Sequence, residues 1–503
     1  MEGYEKLLKK TREMLQFQTG LGIIRWDLQT HMPPRGMKQR SEQLGLMSKI
    51  LHRMSTDEGI KKLIVELEKN TDSLDLVQRR EVQLVKRRFT RSENIPEEVI
   101  ARESAQRTLA IAAWRKAKEI NNWKIFEPEL LTLLEITKSM SEIMMENIGA
   151  KSMLDAQMDM YEPGLTIDTL SKVFKDLRKK LVPLVEKYSA ICEEVKTDFM
   201  SREVPCSIQK KLITDLTGII GFDTTSDDAG GRIDDAEHPF TTGYYDDVRL
   251  TIKCSEDDIS RVIFGGLHET GHALYNQNNN PDWKWMILGK TCSSGFSESQ
   301  ARFAENMIGK SHEFWEFYYP RFQDMTGDSF RKISQLEFLR AINLVRPTSF
   351  RMMADEVTYC LHIIIRFEIE RALFDERIEV SEIPDIWNSM YEKDLGIAID
   401  TDTDGALQDM HWAWNMWGYF PTYALGNLYS AMLSEKLTMD IPEWRNHMSK
   451  GNLESTVKWL IENVHRKSCM FDPQDLLKDI TGKALTVDPF IQYLDVKFSK
   501  IYD

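Results

Sequence analysis

Hydrophobic positions along this chain recur mostly with a helical period. In "LLTLLEITKSMSEIMMENI" (130–148) the apolar residues share one helical face, and similar stretches fill much of residues 1–150. Only 16 prolines and 26 glycines interrupt 503 residues, which favours long helices over many short strands. "YCLHIIIRFEIERALF" (359–374) is too apolar for a solvent-exposed helix. It reads as core, and His362 within it as a core residue rather than a ligand. One region breaks the pattern. "DTTSDDAGGRIDDAEHPFTTGYYDD" (223–247) is rich in Gly, Asp, Ser and Thr and reads as loop. It runs into "DVRLTIKC" (247–254), where Val248, Leu250 and Ile252 alternate with Arg249, Thr251 and Lys253, the period of a strand. The expected fold is mainly α, with a small β-sheet walling the helix that follows.

That helix carries the chemistry. Ser255 and Asp258 have capping-box spacing, Glu256 and Asp257 suit a first turn, and Ile259, Val262, Ile263 and Leu267 form a buried stripe. Gly265 and Gly266 each cost a helix about 1 kcal/mol, which implies close packing there. Next comes "HETGH", His268 to His272. Imidazoles four residues apart leave one face of a helix one turn apart and can both reach a tetrahedral Zn²⁺ at about 2.0–2.1 Å. Glu269 then stands beside the metal, placed to take a proton from water and pass it to a leaving amine. A catalytic zinc takes three protein ligands. The third candidate is Glu298 in "SGFSESQARFAENMIG" (294–309), read as a helix starting near Ser297, with Arg302 and Glu305 on the same face. Two ligands on one helix and a Glu on the next is the gluzincin arrangement. Many gluzincins have Asp four residues after that Glu to brace a ligand histidine; here Arg302 stands there, and Glu305 is the alternative brace.

Charge and composition narrow the classes. With 79 acidic against 65 basic residues the formal charge is -14, which argues against a nucleic-acid partner. The N-terminus lacks an apolar signal-peptide core, and no run of about 18 apolar residues suggests a membrane span. Six scattered cysteines without C-x-x-C read as reduced thiols of a cytoplasmic protein. The length suits one large domain or two intimate halves.

Taken in order, the motifs resemble those of the M32 metallocarboxypeptidases, the thermostable-carboxypeptidase type. "DVRLT" (247–251) is similar to D-x-R-x-T, "HETGH" to H-E-x-x-H, "SESQ" (297–300) to H-E-S-Q, "FRMMAD" (350–355) to I/V-R-x-x-A-D and "GALQDMHW" (405–412) to G-x-x-Q-D-x-H-W. "WDLQTHMPPRG" (26–36) resembles a sixth stretch, W-D-x-x-T-x-M-P. Ser297 departs from the family His, and Phe350 from Ile or Val. The resemblance implies a large helical peptidase domain over 1–503, two helical halves flanking a long deep groove, as in neurolysin-like and angiotensin-converting-enzyme-like peptidases. It also implies release of C-terminal residues with broad specificity, poor at proline, from peptides with a free C-terminus. One Zn²⁺ per chain is the default metal, with Co²⁺ an effective substitute in some members, and homodimers are common.

A carboxypeptidase needs a grip on the terminal carboxylate, and a bidentate arginine supplies one. Arg351 and Arg249 are the candidates; Arg351 is preferred and is where the resemblance points. Asp355, four residues on, is expected to hold its guanidinium. In "QDMHWAWNMWGYFPTYALGN" (408–427), resemblance to His/Tyr pairs of related gluzincins makes His411 and Tyr423 the oxyanion donors, with Tyr419 next in line and Gln408 among the substrate-binding residues. Trp412, Trp414 and Trp417 read as core. Two other functions fit the same motif: an oligopeptidase or dipeptidyl carboxypeptidase with the same metal site, and a non-catalytic peptide-binding protein with a structural metal closed by a fourth ligand, for which Cys292 is the candidate.

Overall fold

The computed structural model describes residues 2–502. Helices dominate, as the periodicity predicts, and one three-stranded sheet interrupts them. No helix of the described residues is long and apolar enough to cross a membrane. All six cysteines are free thiols.

The chain forms two compact units. The first comprises Met1–Phe89, Lys196–Ile342 and Tyr429–Lys483. Its N-terminal part is held by a core of Tyr4, Leu7 and Leu15 on helix Glu2–Gln29 against Ile60, Ile64 and Leu67 on helix Glu58–Lys69. Buried Glu81 accepts the backbone N–H groups of Ile287 (3.0 Å) and Leu288 (2.8 Å). Burial pushes its carboxyl up to about 7, partly offset by those two N–H groups.

The sheet holds β1 (Gly231–Asp235), β2 (Thr241–Tyr244) and β3 (Asp247–Ile252) in the order β1-β3-β2. β3 pairs parallel with β1 and antiparallel with β2. Val248, Leu250 and Ile252 are buried as the alternation predicts. Thr251 is buried too, because its hydroxyl accepts the Phe240 N–H at 2.9 Å. The reading of 223–247 as loop is corrected: β1 and β2 both lie in it. Their Gly, Asp and Thr residues carry no apolar alternation, and both form by pairing with β3. Gly243, at φ +128°, lets β2 close on β3, since a Cβ there would come 2.2 Å from the Asp247 carbonyl oxygen.

Helix Ile259–Gln277 follows, with Ile259, Val262, Ile263 and Leu267 buried. The expected capping box is absent. The N-cap is Asp258, which makes no side-chain cap, and the Ser255 hydroxyl donates to Asp257 instead. The close approach foreseen at the glycine pair belongs to Gly266, where a Cβ would lie 2.2 Å from Ile213 on helix Cys206–Ile219. Gly265 faces open space.

The second unit comprises Thr90–Val195, Asn343–Leu428 and Ala484–Asp503. Its centre is helix Tyr359–Phe374, buried on nearly every side, as its composition predicts. His362 is fully buried there, with Nδ1 2.9 Å from the Tyr391 hydroxyl. Glu370 accepts Trp412 Nε1 (3.0 Å) and the Gly418 N–H (2.9 Å), and burial pushes it up to about 8. Trp412 and Trp417 are core, but Trp414 is 44% exposed, contrary to the core reading. It lies in the turn closed by Asn415, whose φ is +61°.

Candidate active site

The first unit brings three candidate metal ligands together from two adjacent helices. His268 and His272 leave one face of Ile259–Gln277, and Glu298 comes from helix Ser294–Arg302. Each imidazole Nε2 lies 3.7 Å from Glu298 Oε2, and the three ligand atoms fall within 4.8 Å of one another. Donors bound tetrahedrally at about 2.0–2.1 Å stand roughly 3.3 Å apart, so the trio fits a small divalent cation after a slight contraction. No fourth ligand joins the group among the described residues. Cys292 is not one: its thiol faces the Phe471 carbonyl at 3.4 Å. Three ligands with an open position is the catalytic pattern, not that of a closed structural site.

The other ring nitrogens are fixed from behind. His268 Nδ1 is 3.0 Å from Glu305 Oε2, and His272 Nδ1 is 2.9 Å from the Ser297 hydroxyl. Both Nε2 atoms are thereby left for a metal. Ser297, the departure from the family pattern, is thus the partner of His272. The ligand helix begins at Ser294, not near Ser297, because Ser293 caps it through the Phe296 N–H. It continues as a π-helix over Phe303–Gly309, and Glu305 stands within that segment. Arg302 Nε donates to Glu298 Oε1 at 2.7 Å and its NH1 to Glu305 Oε2 at 3.1 Å, while Lys310 holds Glu305 Oε1 at 3.0 Å. With Oε1 engaged, Glu298 presents Oε2 to the histidines.

The charges suit ligation. Burial and the neighbouring His268 push His272 down to about 4, so it is neutral near pH 7. Burial opposes ionisation of Glu305, but Lys310, Arg302 and His268 hold its carboxyl well below the usual range. Glu269, 8% exposed, is pushed up by burial, partly offset by His268 and Thr241.

Gly271 is a residue that motif reading passes over as an "x". A Cβ there would lie 2.2 Å from the Gln300 carbonyl oxygen and 2.6 Å from Ala301 Cα. Only glycine lets the two ligand-bearing helices approach this closely. The one sequence signal is a glycine in mid-helix, where it costs stability.

The second unit holds a separate buried cluster. Arg351 donates through Nε and NH2 to Asp409 Oδ1 (3.0 and 2.7 Å) and through NH1 to the Tyr359 hydroxyl (3.2 Å). Asp409 Oδ2 accepts Arg366 Nε at 2.6 Å. Two guanidiniums on one carboxylate leave a net positive charge and hold Asp409 far below its ordinary range against the effect of burial. Asp355 does not hold Arg351, contrary to expectation. Arg351–Met353 is a single 3₁₀ turn followed by extended Ala354, so the helical i,i+4 geometry never forms. Asp355 instead accepts the N–H groups of Arg346, Val357 and Thr358 at 2.9–3.1 Å. Asp409, which motif reading did not single out, takes that place.

Gln408 accepts the Arg351 N–H (2.9 Å) and an Arg366 N–H (2.7 Å) and donates to the carbonyls of Ser349 and Asp404. Its amide is filled by these four bonds, and it sits directly behind Arg351. His411 Nε2 is 3.1 Å from the Tyr423 hydroxyl, and the Tyr419 ring packs against both. Arg249, in the first unit, pairs with Asp247 (2.7 and 3.0 Å) and stacks 4.3 Å from the Trp26 ring, joining the "DVRLT" and "WDLQTHMPPRG" stretches.

Residues 6–498 match the family described as carboxypeptidase Taq (M32) metallopeptidase. The chain is 36% identical to carboxypeptidase 1 of Bacillus subtilis, over 99% of each chain. It is 31% identical to thermostable carboxypeptidase 1 of Thermus thermophilus, again over 99% of each. Among solved structures it is similar to the M32 carboxypeptidase of Deinococcus radiodurans, at TM-score 0.95 and 30% identity over 100% of both chains. It is also similar to metallocarboxypeptidase 1 of Trypanosoma cruzi, at 0.94 and 31% over 99% of both.

Proposed function

We propose a mechanism from one premise: the chain belongs to the carboxypeptidase Taq (M32) metallopeptidase family and is a metal-dependent carboxypeptidase acting on peptides. His268, His272 and Glu298 would hold the metal, and we take it to be zinc, which suits two imidazoles, one carboxylate and an open position. When bound, the metal supplies a Lewis acid that polarises the scissile carbonyl and acidifies water.

The chain's own residues supply the rest. Arg351 receives the substrate's terminal carboxylate. An arginine has five N–H donors, and Arg351 spends three on Asp409 and Tyr359, keeping one on each terminal nitrogen for a bidentate grip. Glu269 takes the water proton as the oxygen attacks, then returns it to the departing amine nitrogen as the C–N bond breaks. Tyr423, hydrogen-bonded to His411, donates to the developing oxyanion. Tyr419 packs on this pair, and Gln408 positions Arg351. Arg249 is the second candidate for the carboxylate, although Nε and NH2 already serve Asp247. The whole chain acts as one peptidase domain, cytoplasmic and homodimeric, a reading supported by six free thiols and the family resemblance.

The observation that carries this mechanism is the trio of ligand side chains with Glu269 between the two histidines in sequence. Glu269→Gln keeps the size and removes the base. Metal content should stay near one ion per chain while kcat falls on the order of 10²–10⁴-fold. A variant keeping a tenth of wild-type turnover would remove Glu269 from its role.

A further inference from the structure

The two carboxylate oxygens of Glu269 are not equivalent. Oε2 accepts the Thr241 hydroxyl at 2.6 Å, whereas Oε1 makes no hydrogen bond among the described residues. Thr241 Oγ1 also lies 3.0 Å from the Glu269 carbonyl oxygen. One hydroxyl has one proton to give, and the shorter contact to the charged group takes it.

Thr241 reaches this point because of how the sheet is built. It is the first residue of β2, an edge strand paired only with β3, where Thr241 faces Leu250. Leu250 is fully buried, and Gly243 closes the hairpin where no Cβ fits. The strand is therefore seated independently of Glu269 and presents its hydroxyl to helix Ile259–Gln277 from outside that helix. A glutamate's terminal torsion is broad and roughly two-fold when nothing holds it. A bond to one oxygen from a fixed strand removes that freedom and decides which oxygen faces the reaction.

We propose that Thr241 is the positioning residue of the general base. It holds Oε2 and so dedicates Oε1 to the proton. In the first step a water O–H bond breaks, the oxygen bonds to the carbonyl carbon and the proton goes to Oε1. In the second the C–N bond breaks and the proton passes from Oε1 to the amine nitrogen. Thr241 keeps its own proton throughout. This assignment rests on Glu269 being the base.

The test uses full-length, metal-loaded enzyme and three variants. Thr241→Val keeps the shape and the strand preference but has no hydroxyl; Thr241→Ser keeps the hydroxyl. Thr241→Val should lose roughly 10- to 100-fold in kcat, part of the contribution of a positioned base, with KM within about threefold and metal content unchanged. Thr241→Ser should recover most of kcat. In a Glu269→Gln background, Thr241→Val should change kcat by less than about twofold, because the residue has no base left to position. A Thr241→Val variant within twofold of wild type overturns the proposal. So does a loss confined to KM, or an equal loss in the Ser and Val variants, which would trace the effect to packing of the methyl group. Activity retained by Glu269→Gln alone would instead remove the base assignment beneath it, and that outcome is read from a different variant.

Discussion

Arg351→Ala separates a carboxylate anchor from a structural arginine. The wild-type guanidinium has three donors engaged by Asp409 and Tyr359, so the substrate carboxylate would receive the remaining two. Two charge-assisted bonds in a site this buried are worth on the order of 2–4 kcal/mol. At 1.4 kcal/mol per factor of ten, kcat/KM on a free-acid peptide should fall roughly 30- to 1,000-fold. Folding should survive. Asp409 Oδ1 loses its donors, a cost of about 1–3 kcal/mol, but Oδ2 keeps Arg366 at 2.6 Å. The assay compares wild type and variant on one peptide as free acid and as C-terminal amide, with metal content and thermal midpoint measured alongside. Wild type should be poor on the amide, and the mutation should change the amide rate little. The substrate change and the mutation form a double-mutant cycle whose coupling measures the grip. Equal losses on acid and amide would make Arg351 structural and promote Arg249.

Two further outcomes follow from the candidate metal centre. Gly271→Ala places a methyl group against the Gln300–Ala301 backbone, so it should push the ligand helices apart, lower the thermal midpoint and weaken metal binding by tenfold or more, read by competition with a chelator. Glu305→Ala frees His268 Nδ1 and leaves Arg302 and Lys310 without their shared carboxylate; metal affinity should drop about 10- to 100-fold, and unchanged affinity would show that this contact does not orient His268.

Long-period features were the most legible part of the sequence. Helix Tyr359–Phe374 followed from a composition too apolar for a solvent-exposed helix, and the two histidines followed from spacing alone, because four residues is one turn. What escaped depends on partners remote in sequence. β1 and β2 lack an apolar pattern and exist because β3 pairs with both. Asp355 sits at helical spacing from Arg351, but the backbone between them is a 3₁₀ turn, and the carboxylate that arrives comes from 58 residues away. The cap predicted at Ser255 failed for a local reason: the hydroxyl found the Asp257 carboxylate before any helix N–H. Ser297 was visible as a departure from a motif, yet its use became clear only with His272 2.9 Å away.

In the proposed mechanism the enzyme removes single residues from a free C-terminus at a metal held by His268, His272 and Glu298. A mass-spectrometric time course on an unblocked peptide of about ten residues tests it directly. Zinc-loaded enzyme should produce a ladder of one-residue losses from the C-terminus, a chelator should stop it, added Zn²⁺ should restore it, and Glu298→Ala should neither retain the metal nor form the ladder. Internal fragments, steps of two residues, or a ladder that persists after the metal is stripped would contradict the account.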